Sequence, residues 1–365
     1  MDGTHTEIPR YRKMLREALP DRYFRSDSHH LWWMIPHIAI IAGGLYLLAQ
    51  GFTWWAFLIA LVIGHSFAGL GFIAHEVCHG TGLKNNFLKQ LLTGIAFSPF
   101  AIGPYLWTRW HNAAHHNHTQ HEELDPDRLF TEEEYKNSPV LKALYLLHPA
   151  LRNIVIFSSF TYRMSQHNLL VAKTYIRRED TTPAERFLIR WQFAVPKILW
   201  IVGTALMGWQ VLLFGYLLPL LVANFVVISY IATNHFLNPL ADENDVLATT
   251  LSVTLPWPLR WLDPIHLHFG AHVAHHLFPQ APSRYARRIE RQVQKMWPDR
   301  FHVMPIHKAL KMLWDTPWVY AEGGKDLIDP RRGERAPTLG YGLERWIRSQ
   351  QERRREKRRE KQPTL

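Results

Sequence analysis

A single cysteine, Cys78, occurs in 365 residues. That excludes a disulfide framework, a cysteine-built zinc site and a protein-borne iron–sulfur cluster. The chain also lacks a Gly-x-Gly-x-x-Gly fingerprint for a flavin or nicotinamide, so any redox chemistry needs another kind of centre. No long apolar run precedes residue 31 and no small-residue cleavage site ends the first one, so a signal peptide is not expected. Neither a solenoid-type repeat nor a low-complexity linker is present, and one domain over 1–365 is expected. Acidic residues are in the minority, 31 against 42 Lys and Arg, for a formal net charge of +11. Very basic stretches alternate with long apolar runs, which points to a membrane as partner and not to nucleic acid. One residue type is over-supplied: there are 22 histidines, and they cluster. Clustered imidazoles suggest a transition metal.

Residues 1–30 carry Arg10, Arg12, Lys13, Arg16, Arg22 and Arg25, with Ile8, Tyr11, Met14, Leu15 and Leu19 at helical spacing. This reads as an amphipathic helix lying on a membrane surface or, failing that, as a solvated terminus. The runs 31–48 and 52–74 are each long enough to cross about 30 Å of hydrocarbon and, with a short break between them, predict a hairpin. The tract 193–236, broken by Gly208 and Gly215, predicts a second hairpin. Between them, 75–190 is mixed, with half-apolar stretches at 87–107 and 140–160 that suit helices in the interface. Residues 237–342 are largely polar, and 343–365 form a basic tail. Both hairpins return to the side they left, and the turns carry no Lys or Arg, so the common face is predicted to be cytoplasmic. The fold class expected is an all-α integral membrane protein with four transmembrane helices in two hairpins and a cytosolic helical cap.

Three histidine constellations lie on that face. The first is His75-Glu76-Val77-Cys78-His79, with His75 and His79 at i and i+4 on one helical face. Alone it matches the His-Glu-x-x-His of zinc proteases, in which Glu76 would be the general base. The second contains His111, His115 and His116 and is followed by Asp125-Pro126-Asp127. On an α-helix His111 and His115 share a face while His116 is turned by about 100°, so adjacent histidines can serve two ions. The third, His272-Val273-Ala274-His275-His276, puts three imidazoles near one face. A zinc protease needs three ligands and a water, which leaves two constellations surplus. A carboxylate-bridged di-iron bundle wants two Glu-x-x-His motifs, and Glu76-x-x-His79 is the single one present. What remains is a largely nitrogen-ligated site for two metals.

These three motifs resemble the histidine boxes of the membrane fatty acid desaturase and hydroxylase superfamily, over about 31–279 of this chain. Asp125-Pro126-Asp127 and Leu277-Phe278-Pro279 look like its acyl desaturase branch. The resemblance implies a non-haem di-iron centre, O2 as co-substrate and hydrogen removal from a fatty acyl chain carried on lipid, coenzyme A or acyl carrier protein. It implies His75, His79, His111, His115, His116, His272, His275 and His276 as ligands, with His235 as a further one from the segment after the last crossing. In the family an asparagine one turn earlier holds a water; here that position is Ile231, and Asn234 stands beside His235 instead. Glu76, Asn234, Asp125 and Asp127 are the candidates for supporting the ligands from behind. His118, His121, His266 and His268 lie near the boxes but are expected outside the ligand set. His65 is expected to serve bundle packing and Cys78 to be a small buried residue.

A hydroxylase or ketolase acting on alkanes, carotenoids or sphingoid bases is the alternative within the superfamily, and a membrane zinc metalloprotease is the one outside it. The third box begins with His272 and not Gln, and no His-Pro-Gly-Gly motif of a fused cytochrome b5 occurs, which disfavours front-end desaturation. The two electrons consumed per turnover then require a separate donor of the ferredoxin or cytochrome b5 type. Such donors are acidic, and Arg287, Arg288, Arg291 and Lys295 after the third box are the expected meeting surface. A multi-pass protein of the bacterial inner membrane, with its boxes on the cytoplasmic side, is the expected setting.

Overall fold

The computed structural model describes residues 7–51, 54–80 and 82–360. The start of the N-terminal segment (1–6), residues 52 and 53 of the second run, and the end of the tail (361–365) lie outside the described residues. The chain is mostly helical, and among the described residues three helices are long and apolar enough to cross a membrane: His29–Ala49, Ala56–Cys78 and Trp209–His235. The second of these is central. From Ser66 to Cys78 every residue is buried, which is why the run reads as uniformly apolar instead of striped. It packs along both neighbours, Met34–Ala49 and Leu218–His235.

Where the second hairpin is expected there are two helical arms, of which Trp209–His235 is long and apolar enough to span. The first arm is Pro183–Leu206, opened by a capping box in which Thr182 and Glu185 satisfy each other's backbone N–H. That helix begins among Glu185, Arg186 and Arg190 and carries Lys197, so its apolar part is short. The turn is confined to Met207 and Gly208, whose φ of +123° favours glycine. Gly215, expected in the turn, instead lies within a π-helical stretch, Leu213–Leu217, against Leu45.

The stretch 87–107 forms Asn86–Phe97 and the short helix Pro104–Trp107, while 140–160 falls in Pro139–Leu146 and the long helix Pro149–Arg177. Phe87, Leu91, Ile95, Val140, Leu146, Leu151 and Ile154 are exposed along them.

Two expectations are corrected. The chain is not wholly α: Phe130–Thr131, Val319–Tyr320, Asp326–Ile328 and Arg335–Pro337 form a four-stranded sheet, the first pair parallel and the others antiparallel. A two-stranded parallel pair joins Ser252–Thr254 to Val303–Pro305. The N-terminal helix, Ile8–Ala18, does not turn its apolar face to a membrane. Ile8, Tyr11 and Leu15 are buried against Val273, Leu277, Ile289 and Val293, and Tyr11 Oη lies between Asp245 and the Arg300 guanidinium. The third-box helix, His272–Leu277, is thereby clamped between the N-terminal helix and Ala286–Met296. In the same region Arg287 is committed to Asp263 and Glu290, which withdraws it from the expected donor surface and leaves Arg288, Arg291 and Lys295 exposed.

Candidate metal centre

The histidines converge where helices end. His75 is in the last turn of the second span and His79 caps it. His235 ends Leu218–His235, and the third box opens its own short helix at His272. The second box lies on a π-helical segment, Thr108–His115, closed by a bond from His116 N–H to the His111 carbonyl. A π turn takes up an extra residue, so His111 aligns with His116 and not with His115, reversing the grouping expected from α-helical spacing. The third box is also divided: His272 and His276, one α-turn apart, stay together while His275 points elsewhere.

Among the described residues one group brings His111 and His115 together with Asp127, and two others are all nitrogen. His75, His79, His111, His116 and His275 form one, and His115, His235, His272 and His276 the other; within each, the candidate ligand atoms lie within 4.8 Å of one another. All nine histidines singled out in the sequence fall in these groups. Nε2–Nε2 separations are 3.0 Å for His75–His111, 3.2 Å for His111–His116, 3.2 Å for His116–His275, 2.9 Å for His235–His272 and 3.2 Å for His272–His276. Imidazole–metal bonds of about 2.1 Å put neighbouring ligand atoms about 3.0–3.4 Å apart around an octahedral or tetrahedral ion. His79 Nε2 is buried with no hydrogen-bond partner among the described residues. Spacing, nitrogen-rich composition and an orphaned lone pair together fit a pair of bound metal ions.

Supporting groups sit behind the imidazoles. His115 Nδ1–H donates to Asp125 at 2.9 Å and lies 3.6 Å from Asp127, which leaves Nε2 for a metal. Asp125 is itself held by the backbone N–H groups of Gln120 and Asp127. His276 Nδ1 lies 3.3 Å from Thr119 Oγ1. Glu76 lies 3.5 Å from His75 Nδ1 and 3.8 Å from His275 Nδ1, behind the ligand ring and not at an open metal position, which is the wrong place for a protease base. Asn234 is buried, but its side chain has no hydrogen-bond partner among the described residues, and Ile231 lines the adjoining cavity in its stead.

Burial and mutual repulsion between imidazoles hold His79, His111, His116, His272, His275 and His276 well below the ordinary histidine range, and so neutral and ready to ligate. His115 goes the other way. Burial alone would lower it, but Asp125 and Asp127 outweigh that and raise it to about 9.

Sequence reasoning missed three residues. His167 Nε2 approaches Asp127 at 2.9 Å; Gln120 binds the His235 and Asn238 carbonyls; Asn112 binds the Cys78 carbonyl. None stands in a metal-spaced pattern, so spacing gave no signal. His266 pairs with Tyr230 and His65, His268 with Asp263, and His118 with His121, all outside the two groups. Cys78 is a buried free thiol.

An apolar cavity runs beside the nitrogens, walled by Phe72, Phe97, Phe100, Val227, Ile228 and Phe269 and touching His75, His111, His115, His235 and His272. The model of the family described as "Fatty acid desaturase" matches residues 52–308. The chain belongs to the fatty acid desaturase family. It is a fatty acyl desaturase, an oxidoreductase of the membrane type. Among its curated relatives, this desaturase is 26% identical over 337 residues to the sn-1 acyl-lipid omega-3 desaturase (ferredoxin) of Synechocystis sp., covering 87% of this chain and 90% of that one. It is 24% identical to the sn-1 oleoyl-lipid 12-desaturase of Picosynechococcus sp., over 77% of this chain and 81% of the relative. Against the endoplasmic-reticulum omega-6 fatty acid desaturase isozyme 1 of Glycine max the identity is 27%, over 73% of each.

Proposed function

We propose that this desaturase acts on acyl chains esterified in membrane lipid, using two irons, O2 and electrons from a ferredoxin. The observation that carries the reading is the pair of adjoining histidine groups along one wall of an apolar cavity. The relatives named acyl-lipid desaturases support the carrier, and those named for ferredoxin support the donor. Two bound irons would supply the activation of O2 and the abstraction of hydrogen from an unactivated methylene, which no side chain acting as acid or base can do.

The protein's own share is placement. His75, His79, His111, His116 and His275 would hold one iron, and His115, His235, His272 and His276 the other. Asp125, Asp127 and Glu76 fix the ring orientations and tautomers of the imidazoles they face. Phe72, Phe100, Val227, Ile228 and Phe269 exclude water and hold the chain extended, so that one methylene pair lies against the centre. In this reading Pro183–Leu206 is the fourth crossing, the boxes face the cytoplasm, and the membrane is the bacterial inner membrane. The three helices long enough to span and the basic loops on one side support that arrangement.

The test is reconstitution of purified protein in lipid vesicles with ferredoxin, its reductase and NADPH. Iron at two per chain and new double bonds in intact lipid, located by mass spectrometry, are expected. Zinc in place of iron, or a hydroxylated product, would overturn the assignment.

A further inference from the structure

Between the strand Ser252–Thr254 and the third box the chain makes a detour that the metal centre does not explain. Residues 255–271 include two single-turn helices, Leu259–Trp261 and Leu262–Ile265. At the tip, Trp257 is 81% exposed and Trp261 63%, with Leu259 and Arg260 also exposed. A loose loop would bury its indoles by collapse, but this one is pinned. The Leu259 N–H donates to the Pro256 carbonyl and the His268 N–H to the Asp263 carbonyl. Asp263 takes bonds from Arg287 and His268. His266 is bound on one side by Tyr230 and on the other by His65. The tryptophans are therefore held outward on a rigid base.

The position of that base decides what they meet. His266 touches His65 on the second span, ten residues before His75. Pro264 and Leu267 also share a cavity wall with His30 and Trp33, at the start of the first span. Trp32, between His30 and Trp33 at the start of the first span, is 70% exposed. At the opposite ends of the spans, Trp54, Trp55 and Trp209 are exposed in turn. Tryptophans that ring both ends of a set of spans mark the two membrane–water interfaces, where an indole is apolar on its face and polar at its N–H.

We infer that the 256–262 loop is an interfacial anchor: Trp257, Leu259 and Trp261 insert among the headgroups and upper acyl chains of the bilayer leaflet on the histidine-box side, beside Trp32. The occupant is lipid, because the base of the loop packs on the second span at His65 and on the start of the first span at His30 and Trp33. The inference rests on the membrane-embedded reading, and the controls below separate the two.

Since the native cysteine is buried, single cysteines can be introduced and labelled with a polarity-sensitive nitrobenzoxadiazole probe. Full-length protein carrying Trp257→Cys, or Arg260→Cys, which keeps both tryptophans should the first fold poorly, is reconstituted in phosphatidylcholine–phosphatidylglycerol vesicles. Val62→Cys on the exposed side of the second span and Glu334→Cys in the exposed stretch 331–335 serve as membrane and water references. Blue-shifted emission at 257 and 260, quenched severalfold more by shallow doxyl lipid than the label at 334, is the expected result. Quenching by aqueous iodide instead, or shielding from both quenchers, would overturn the anchor while Val62 still reports lipid. A Val62 label that lipid fails to quench would overturn the membrane placement itself.

Discussion

His115 has two carboxylates against its Nδ1 side, and its neighbour in sequence, His116, has none within ion-pair distance among the described residues. The outer carboxylate of such a pair sets ring orientation and ligand basicity, and its loss costs about 10–100-fold in metal affinity or activity. Asp125→Asn should accordingly lower iron occupancy and turnover by that order, while His79→Ala, His115→Ala and His276→Ala should each abolish turnover and release iron, as metal analysis and lipid profiling will show. Glu76→Gln, which keeps the shape but not the charge, should retain iron and measurable activity. A second site gives a pH signature. Burial alone would raise Asp263, but His268 and Arg287 more than reverse this and hold its carboxyl well below the usual range. A depressed folded-state pKa contributes stability that is present above the unfolded value, about 3.9, and is lost as pH falls towards the folded one. Thermal unfolding in detergent should therefore lose stability on acidification below about pH 4 more steeply in the wild type than in Asp263→Asn. The clustering of the nine imidazoles, those of the boxes and His235, was legible because metal spacing is a local pattern. Their division into separate groups was not, since the π turn that aligns His111 with His116 leaves no mark in the spacing, and neither Gln120 nor His167 belongs to any motif.

At the scale of elements, the close approach of the second span to its neighbour depends on Gly64. A Cβ there would meet Val222 Cβ at 2.6 Å and the Pro219 carbonyl oxygen at 2.7 Å, contacts that force the helices apart. Gly64→Val should cost about 1–3 kcal/mol or more and lower the melting temperature and yield of folded protein. Gly43→Ala, where a Cβ meets nothing within 4 Å, should be near neutral. Three long spans could be read from apolar length alone. The Pro183–Leu206 helix could not be read as cleanly, because charges at Glu185, Arg186, Arg190 and Lys197 break the run that hydropathy looks for. The strands are two or three residues long, too short to show alternation. For Ile8–Ala18 the periodicity gave the helix and its apolar face correctly, but a face does not name what covers it: Val273 and Val293 do so where lipid was expected.

For the molecule as a whole, the charge imbalance concerns partners. With Arg287 tied to Asp263 and Glu290, the basic face open to an acidic donor near the third box reduces to Arg288, Arg291 and Lys295. Reversing Arg288 and Arg291 to Glu should slow ferredoxin-dependent turnover, most at low salt where steering is strongest, and leave iron content unchanged. Equal slowing with a small chemical reductant would count against docking there. The clamp on the third-box helix has a consequence in time. Tyr11 is separated from Asp245 and Arg300, between which its hydroxyl lies, by more than two hundred residues. Contacts of such sequence separation are slow to form, because loop-closure entropy is lost before the contact rewards it. The cover over the last histidines is therefore expected to be a late-forming contact, gained only after the spans that lie between its two halves have packed.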